Sequence, residues 1–175
     1  MLFTATPLEG AFVIEPERRI DERGHFVRTF CNHEFAEQGL ETSFVQANAA
    51  WNNARGIVRG LHLQLAPNEE VKVVRCTKGS VFDVIVDCRE GSKTRHQWFG
   101  VTLTGDNGTQ LYVPKGFAHG YQVLENDSEL VYLVSAHYTP GAETGLRWDD
   151  PAIGIEWPIS QKVDLSEKDA TWPLL

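Results

Sequence analysis

The sequence has few cysteines, no long hydrophobic run and fewer basic than acidic residues. Its three cysteines, Cys31, Cys76 and Cys88, are an odd number without metal-ligand spacing, which argues against a disulfide framework. Sixteen Lys and Arg against 24 Asp and Glu give a net charge of −8, which disfavours partners such as nucleic acid or an anionic membrane. No apolar run approaches the length of a membrane span, and the first residues lack the apolar core of a secretory signal. One cytoplasmic domain over residues 1–175 is therefore expected.

Short strand-like segments separated by glycine-containing turns dominate what is present. Their number and spacing indicate an all-β antiparallel sandwich or barrel with few, peripheral helices. The predicted strands cover residues 10–14, 24–30, 43–48, 71–76, 80–87, 97–103, 110–113, 119–124 and 130–136.

Several local features complete this prediction. Asn32 is a suitable N-cap for a helix that ends near Gly39, and Ser166 can cap a second helix with Asp169 at its third position. Residues 77–79 have the length and the glycine of a β-hairpin connection. Residues 49–55 are predicted as a polar loop with an exposed Trp51, and the segment from Gly145 onward as a loop packed over the barrel.

Polar side chains interrupt several of the apolar strand faces. In strand geometry His62 and Gln64 share one face, while Leu61 and Leu63 share the other. Alone, His62 would be interpreted as a core histidine with satisfied hydrogen bonds, because burying it unpartnered is costly. Three further residues, Lys72, Asp83 and Tyr132, interrupt otherwise apolar faces in the same way. Together they are typical of a polar cavity inside a β-barrel.

The spacing of Gly108, Pro114, Gly116 and His119 matches the second sequence motif of cupins. The first cupin motif requires two histidines separated by one residue and a following Glu, but here the pair is His62 and Gln64, followed by Glu69 and Glu70. A neutral amide is a poor ligand for a transition metal, and two imidazoles at most are available. The site is therefore expected to work without a metal.

Nearly end to end, the chain resembles the cupin-fold family of dTDP-4-dehydrorhamnose 3,5-epimerases. The matching segments are residues 21–24 (DERG), 44–48 (FVQAN), 59–64 (RGLHLQ), 81–84 (VFDV), 113–120 (VPKGFAHG), 147–151 (RWDDP) and 166–169 (SEKD). The resemblance implies a jelly-roll barrel and a cofactor-independent isomerase. Its substrate would be a nucleoside-diphosphate-linked 4-keto-6-deoxyhexose, inverted at carbon 3, carbon 5 or both.

The resemblance also implies roles for individual residues. His62 matches the general base, Asp169 its acidic partner, Lys72 the residue near the 4-keto oxygen, and Tyr132 the proton donor on the opposite face. The expected substrate contacts are Arg23, Phe26, Arg28, Gln46, Asn48, Arg59, Gln64, His119, Tyr138, Glu143 and Lys168. These residue types suit the chemistry, because imidazole is a base near neutral pH and an ammonium group stabilises a forming enolate.

The recognition residues depart from the family pattern at several positions. Arg28 stands where rhamnose-pathway members usually have Glu, which reverses both the charge and the hydrogen-bonding role. Leu63, Leu133 and Ala50 replace residues that are frequently Tyr, Lys and Ser. The nucleotide base and the exact sugar are therefore left open, whereas the four catalytic positions are intact.

Three alternatives remain at this point. One is a 3-epimerase or a ketoisomerase on a related nucleotide-linked ketosugar. Another is a non-catalytic cupin that binds sugar nucleotides, and the last is a metal-dependent cupin. The resemblance further implies a homodimer in which N-terminal strands contribute to the neighbouring subunit.

Overall fold

A computed structural model describes residues 1–175, and two facing antiparallel sheets form its centre. The strands are β1 (Leu2–Ala5), β2 (Phe12–Glu15), β3 (Arg19–Asp21), β4 (Gly24–Phe26), β5 (Gln46–Asn52), β6 (Val58–Gln64), β7 (Lys72–Lys78), β8 (Ser80–Asp87), β9 (Trp98–Thr104), β10 (Gln110–Val113), β11 (Phe117–Val123), β12 (Ser128–Val134) and β13 (Glu143–Gly145). Two short helices, α1 (Asn32–Glu37) and α2 (Glu167–Ala170), complete the chain. The predicted all-β class with few short helices is confirmed. No helix is long and apolar enough to cross a membrane.

The order of the strands places the polar residues between the sheets. One sheet has the order β1-β2-β10-β7-β12-β5 and the other β13-β6-β11-β8-β9, while β3 and β4 form a separate hairpin. Side chains from β7, β10 and β12 meet those from β8, β9 and β11 in the main core, for example Val74, Leu130, Ile85 and Leu103. Burying side chains of this size contributes about 1.5–3 kcal/mol each. The core fills part of the space between the sheets, and cavities with polar residues in their lining lie in another part.

Outer layers cover the remaining apolar faces. Phe35 of α1 is fully buried against the six-stranded sheet, among Phe30, Phe44 and Tyr112. The chain after Gly145 covers the outer face of the five-stranded sheet, which confirms the predicted packing of this segment. Both outer layers bury apolar surface and leave the interior free for polar groups.

Two predictions about connecting segments were wrong. Residues 77–79 do not form a hairpin connection, because both edges of β7 are occupied by β10 and β12, and β8 pairs with β9 and β11. Gly79, at φ +74°, instead turns the chain from one sheet into the other. Most of the predicted loop 49–55 is strand β5, paired with β12 up to Asn52, although Trp51 is exposed as expected.

The N-terminal predictions also need correction. Cys31, not Asn32, is the N-cap of α1, because its carbonyl already accepts the first helical hydrogen bond, from the Phe35 amide. The strand predicted over residues 24–30 ends at Phe26. Strands β7 to β12 each begin and end within two residues of their predicted bounds.

Candidate active site

A histidine and an aspartate from distant parts of the sequence form the centre of the site. His62 lies on β6, and its Nε2 atom is 2.6 Å from Oδ1 of Asp169. Ser166 caps α2 by accepting a hydrogen bond from the Asp169 amide, as predicted, and this fixes the carboxylate above β6. The Gly60 amide donates to the second carboxylate oxygen at 3.2 Å. Asp169 is only 4% exposed, so capping and solvation alone do not explain it.

Gly60 allows this arrangement because its backbone passes very close to the neighbouring strand. It has φ +118°, and a Cβ atom there would lie 2.6 Å from the Gly120 Cα. A side chain at this position would separate β6 from β11, which carries His119 directly opposite His62. The glycine thereby keeps two histidines side by side on adjacent strands.

The Asp169 carboxylate determines the tautomer of His62. A carboxylate only accepts hydrogen bonds, so the neutral ring carries its hydrogen on Nε2 and has its lone pair on Nδ1. Burial raises the pKa of Asp169, but the hydrogen bond and the charge of His62 outweigh it and hold that pKa below its ordinary value. Asp169 thus stays ionised and orients the base.

Nδ1 of His62 faces a second carboxylate, Glu143, at 3.8 Å. Glu143 lies on β13, which pairs with β6. Its other oxygen accepts hydrogen bonds from the Lys168 ammonium group and, at 3.3 Å, from the Tyr138 hydroxyl. His62 therefore lies between two carboxylates, one at each ring nitrogen.

Tyr132 and Lys72 approach the same space from the opposite sheet. Tyr132 is on β12 and Lys72 on β7, and both line cavities that they share with His62. Lys72 Nζ is 3.2 Å from Oε1 of Glu70, a residue that the sequence suggested only as a candidate metal ligand. Burial and then the Glu70 charge raise the pKa of Tyr132, while Arg59 lowers it slightly. Tyr132 is therefore a protonated hydroxyl at neutral pH.

Three cavities share His62 in their lining, and they are large enough for a sugar. Two of them, of about 260 and 180 Å³, lie between the sheets, and a third of about 410 Å³ opens beside α2. They bring together most of the predicted site residues: Gln46, Asn48, Arg59, His62, Gln64, Lys72, His119, Tyr132, Tyr138, Glu143, Lys168 and Asp169. A site with this lining can bind an anionic, hydroxylated ligand beside a base and an acid.

Three predicted contacts lie elsewhere in the chain. Arg23 is exposed on the β3–β4 hairpin and paired with Asp21, while Phe26 and Arg28 line a separate cavity of about 50 Å³. The Arg28 guanidinium is 2.7 Å from Glu34, whose carboxylate also binds the N-terminal ammonium group. Within one chain, these three residues do not reach the His62 cavities.

Two predicted binding residues are held by the protein itself. Gln64 accepts a hydrogen bond from the Thr139 amide and donates to the His137 carbonyl, so its amide fixes the segment before β13. Arg59 donates to Asn52 at 2.8 Å and still lines the cavities beside His62. Gln64 is therefore an anchor for the loop that carries Tyr138, in addition to lining the cavity.

A second histidine–carboxylate pair lies deeper between the sheets. His119 Nε2 is 2.9 Å from Oδ1 of Asp83, and Asp83 is fully buried with no partner for its Oδ2 atom. Tyr121, from the strand of His119, donates to Asn52, and burial raises the pKa of Tyr121 to about 12. In the sequence, Asp83 is recognisable as an interruption of an apolar face, whereas no pattern identifies Asn52 or Tyr121.

Trp172 was also missed. The Trp172 ring meets the His62 ring edge-on, with 6.1 Å between centroids. The Lys168 ammonium group lies 5.6 Å from the centroid of the Trp172 ring. Gly145 leaves the space, because a Cβ atom there would come within 2.4 Å of the indole. A single tryptophan near a chain end has no periodic pattern that would connect it with a histidine more than one hundred positions earlier.

Comparison with known proteins places this site in a family. Residues 5–175 match the family model described as dTDP-4-dehydrorhamnose 3,5-epimerase. A relative of that name from Methanothermobacter thermautotrophicus is 44% identical over 172 residues, which cover 97% of this chain and 92% of the relative.

Solved structures agree with this match. The dTDP-4-dehydrorhamnose 3,5-epimerase of Bacillus anthracis, with TDP and PPi bound, has a TM-score of 0.95 at 37% identity and 99% coverage of both chains. The dTDP-6-deoxy-D-glucose-3,5-epimerase of Legionella pneumophila, in complex with dTDP-4-keto-L-rhamnose, has a TM-score of 0.93 at 39% identity, covering 99% of this chain and 92% of the other. The expected cupin-type jelly roll is thereby confirmed, and the chain belongs to the dTDP-4-dehydrorhamnose 3,5-epimerase family.

Proposed function

We propose that the chain is a 3,5-epimerase of a dTDP-linked 4-keto-6-deoxyhexose, converting dTDP-4-dehydro-6-deoxyglucose to dTDP-4-dehydrorhamnose. The observation that carries the proposal is the position of His62 and Tyr132 on opposite sheets, facing one cavity. A sugar ring between them would present one face to each residue. Inversion of a carbon requires removal of its proton on one face and delivery of a proton on the other.

The chemistry follows from the acidity of carbons next to a ketone. Nδ1 of His62 takes the proton from carbon 3 or carbon 5, and Asp169 stabilises the resulting imidazolium through Nε2. The electrons move to the 4-keto oxygen, where the Lys72 ammonium group stabilises the enolate. Tyr132 then donates its proton to the same carbon from the other side. Each of these steps uses only side chains of the protein, so no cofactor is invoked.

The diphosphate requires positive charge in a protein with a net charge of −8. Arg59 and Lys168 both line the cavity beside α2, next to His62. Arg59 is oriented by Asn52, which is suited to holding phosphate oxygens in a fixed geometry. Gln46, Asn48 and His119 add hydrogen-bonding groups for the sugar.

We further infer that the protein is a cytoplasmic homodimer, with residues 1–175 acting as one epimerase domain. Its three cysteines are free, as is usual in a reducing compartment. The β3–β4 hairpin exposes two large apolar side chains, Ile20 and Phe26, which are 77% and 65% exposed. If a second copy accepts this hairpin, the hairpin and the residues after it would bring Arg23, Phe26 and Arg28 to the His62 cavities of that second copy.

Complementation tests the dimer. In an exchanged dimer, co-expressed Arg23→Ala and His62→Asn chains form one site in which both positions are intact. We expect the mixed dimer to recover activity well above that of either variant alone, with sedimentation showing two chains per particle. Failure of recovery in a verified mixed dimer would place Arg23 outside the neighbouring site.

The epimerase function is tested by solvent exchange. The protein is incubated in heavy water with dTDP-4-keto-6-deoxyglucose, and deuterium is located by NMR of the product. We expect deuterium at carbons 3 and 5 together with inversion at both. Exchange at carbon 3 alone would make the protein a 3-epimerase, and a shifted carbonyl would make it a ketoisomerase. Absence of exchange with every nucleotide-linked ketosugar would overturn the proposal.

A further inference from the structure

When one site inverts two carbons in turn, the first inversion leaves the base and the acid in the wrong protonation states for the second. After the first inversion His62 carries an extra proton on Nδ1, and Tyr132 has lost its own. Neither residue can act on the second carbon until His62 has lost that proton and Tyr132 has regained one. A 3,5-epimerase that keeps its substrate bound between the two inversions therefore needs a route for resetting the base.

Solvent reaches His62 poorly once the cavity is filled. The His62 side chain is 28% exposed, and the cavities that it lines are those that the sugar and the diphosphate would occupy. On the other ring nitrogen, Asp169 is 5% exposed and receives hydrogen bonds from both His62 and Gly60. The cavity beside Asp169 is the one assigned to the diphosphate, so a bound substrate leaves little water on that side through which a proton can leave.

Glu143 is placed differently. Its Oε1 is 3.8 Å from Nδ1 of His62, the nitrogen that takes the substrate proton. Its Oε2 is bound by the Lys168 ammonium group and the Tyr138 hydroxyl, at the rim of the site. The Glu143 side chain is 15% exposed, whereas Lys168 and Tyr138 are 52% and 59% exposed, so the outer oxygen of this carboxylate lies beside two solvent-exposed groups while the inner one borders the base.

From this geometry we propose that Glu143 is a proton relay that resets His62 between the two inversions. The N–H bond at Nδ1 breaks as an O–H bond forms on Glu143, and the imidazole regains its lone pair. The Glu143 O–H then gives its proton to water at the rim, and the Tyr132 phenolate takes a proton from water. No electrons are gained or lost, and the charge of the site returns to its starting value.

The proposal rests on the epimerase function above and adds a role that substrate binding does not require. A carboxylate that only contacts the sugar has no need to lie beside the base on one side and solvent on the other. The Lys168 ammonium group balances the charge of Glu143, which allows a second carboxylate so close to the Asp169–His62 pair. If Glu143 only binds substrate, its loss will affect both carbons equally.

The test separates the first exchange from the second. Enzyme in excess over dTDP-4-keto-6-deoxyglucose is mixed in heavy water, quenched at successive times, and the deuterium at each carbon is measured. In Glu143→Gln, which keeps the size and polarity of the side chain but cannot accept the proton, we expect the labelling of both carbons to slow because a substrate contact changes. Labelling of the second carbon should slow at least tenfold more than labelling of the first, and Glu143→Asp should restore part of the rate at the second carbon.

Other outcomes have different meanings. Equal slowing at both carbons in Glu143→Gln would give Glu143 a binding or positioning role and overturn the relay, as would no slowing at either. Wild-type labelling at a single carbon would also overturn the relay, while leaving an epimerase. No labelling by the wild-type protein would instead remove the epimerase function itself, and the relay with it.

Discussion

The two histidine–carboxylate pairs are neighbours across adjacent strands, yet they are built in opposite ways. His62 on β6 and His119 on β11 lie directly opposite one another. Asp83, the partner of His119, comes from β8, the next strand of the same sheet. Asp169, the partner of His62, comes from a one-turn helix more than one hundred residues further along the chain. The His119–Asp83 pair is part of the sheet, whereas the His62–Asp169 pair is assembled by the last part of the chain.

Their surroundings differ as much as their construction. The His119 side chain is 9% exposed and Asp83 is fully enclosed, while the His62 side chain is 28% exposed. A base must gain and lose protons during the reaction, so it needs an accessible nitrogen and a partner that stays ionised. His62 meets both requirements. A buried pair suits a residue that holds one orientation and presents a hydrogen bond to a ligand.

Replacing each histidine by asparagine should separate their roles most clearly. His62→Asn removes the base, so we expect kcat to fall about 10³-fold. His119→Asn keeps a polar side chain but loses a ligand contact and the hydrogen bond to Asp83, so we expect a change of about tenfold, mainly in KM. Steady-state kinetics with nucleotide binding measured in parallel checks both. Comparable losses of kcat in the two variants would refute this division of roles.

A second prediction concerns how the contribution of Asp169 to stability depends on pH. Because the pKa of Asp169 is lowered in the folded protein, its ionised form stabilises the fold above its ordinary pKa of 3.8. That contribution is lost as pH falls below 3.8, through the folded pKa. We expect Asp169→Asn to cost about 1.5–3 kcal/mol in the free energy of unfolding at pH 7, and little below the folded pKa.

Urea unfolding of the variant and the wild-type protein at pH 7 and at acidic pH measures the difference. Glu167→Gln is the matched control, because Glu167 lies in the same helix but is exposed. It should change stability by less than about 0.5 kcal/mol at either pH. A cost for Asp169→Asn that is equal at both pH values would mean that its charge does not contribute.

The sequence predicts different features of the two histidine–carboxylate pairs, and the reason is physical. Alternation along a strand shows which side chains share a face, so His62, Lys72, Asp83 and Tyr132 could be recognised as polar groups directed inward. Alternation does not show which strands become neighbours, and the pairing of Asp83 with His119 was therefore missed. The His62–Asp169 pair was expected only from family resemblance, because no local pattern connects a capping-box aspartate with a distant strand.

The errors follow the same division. The connection after β7 has hairpin length and glycine, but sheet topology, which local sequence does not encode, places its two strands in different sheets. Strand β5 contains Ala and Asn in a polar context, and its pairing with β12 overrides that composition. The sequence also showed nothing of the space that Gly145 leaves for Trp172.

Trp172 allows the smallest and most specific test of the comparison, because it contacts the His62 pair and not the other. Its indole packs beside the His62 ring and beneath the Lys168 ammonium group. Aromatic and cation–π contacts of this kind contribute about 0.5–1.5 kcal/mol each. Trp172→Leu should therefore loosen α2 and lower kcat about fivefold through poorer orientation of Asp169. The control is Trp148→Leu, which should leave kcat unchanged because Trp148 packs on Trp157 and lines none of the His62 cavities. Lys168, which we place at the diphosphate, also lies on α2, so KM should rise in Trp172→Leu, but by a smaller factor than kcat falls. An effect confined to KM would show that Trp172 acts on the ligand instead.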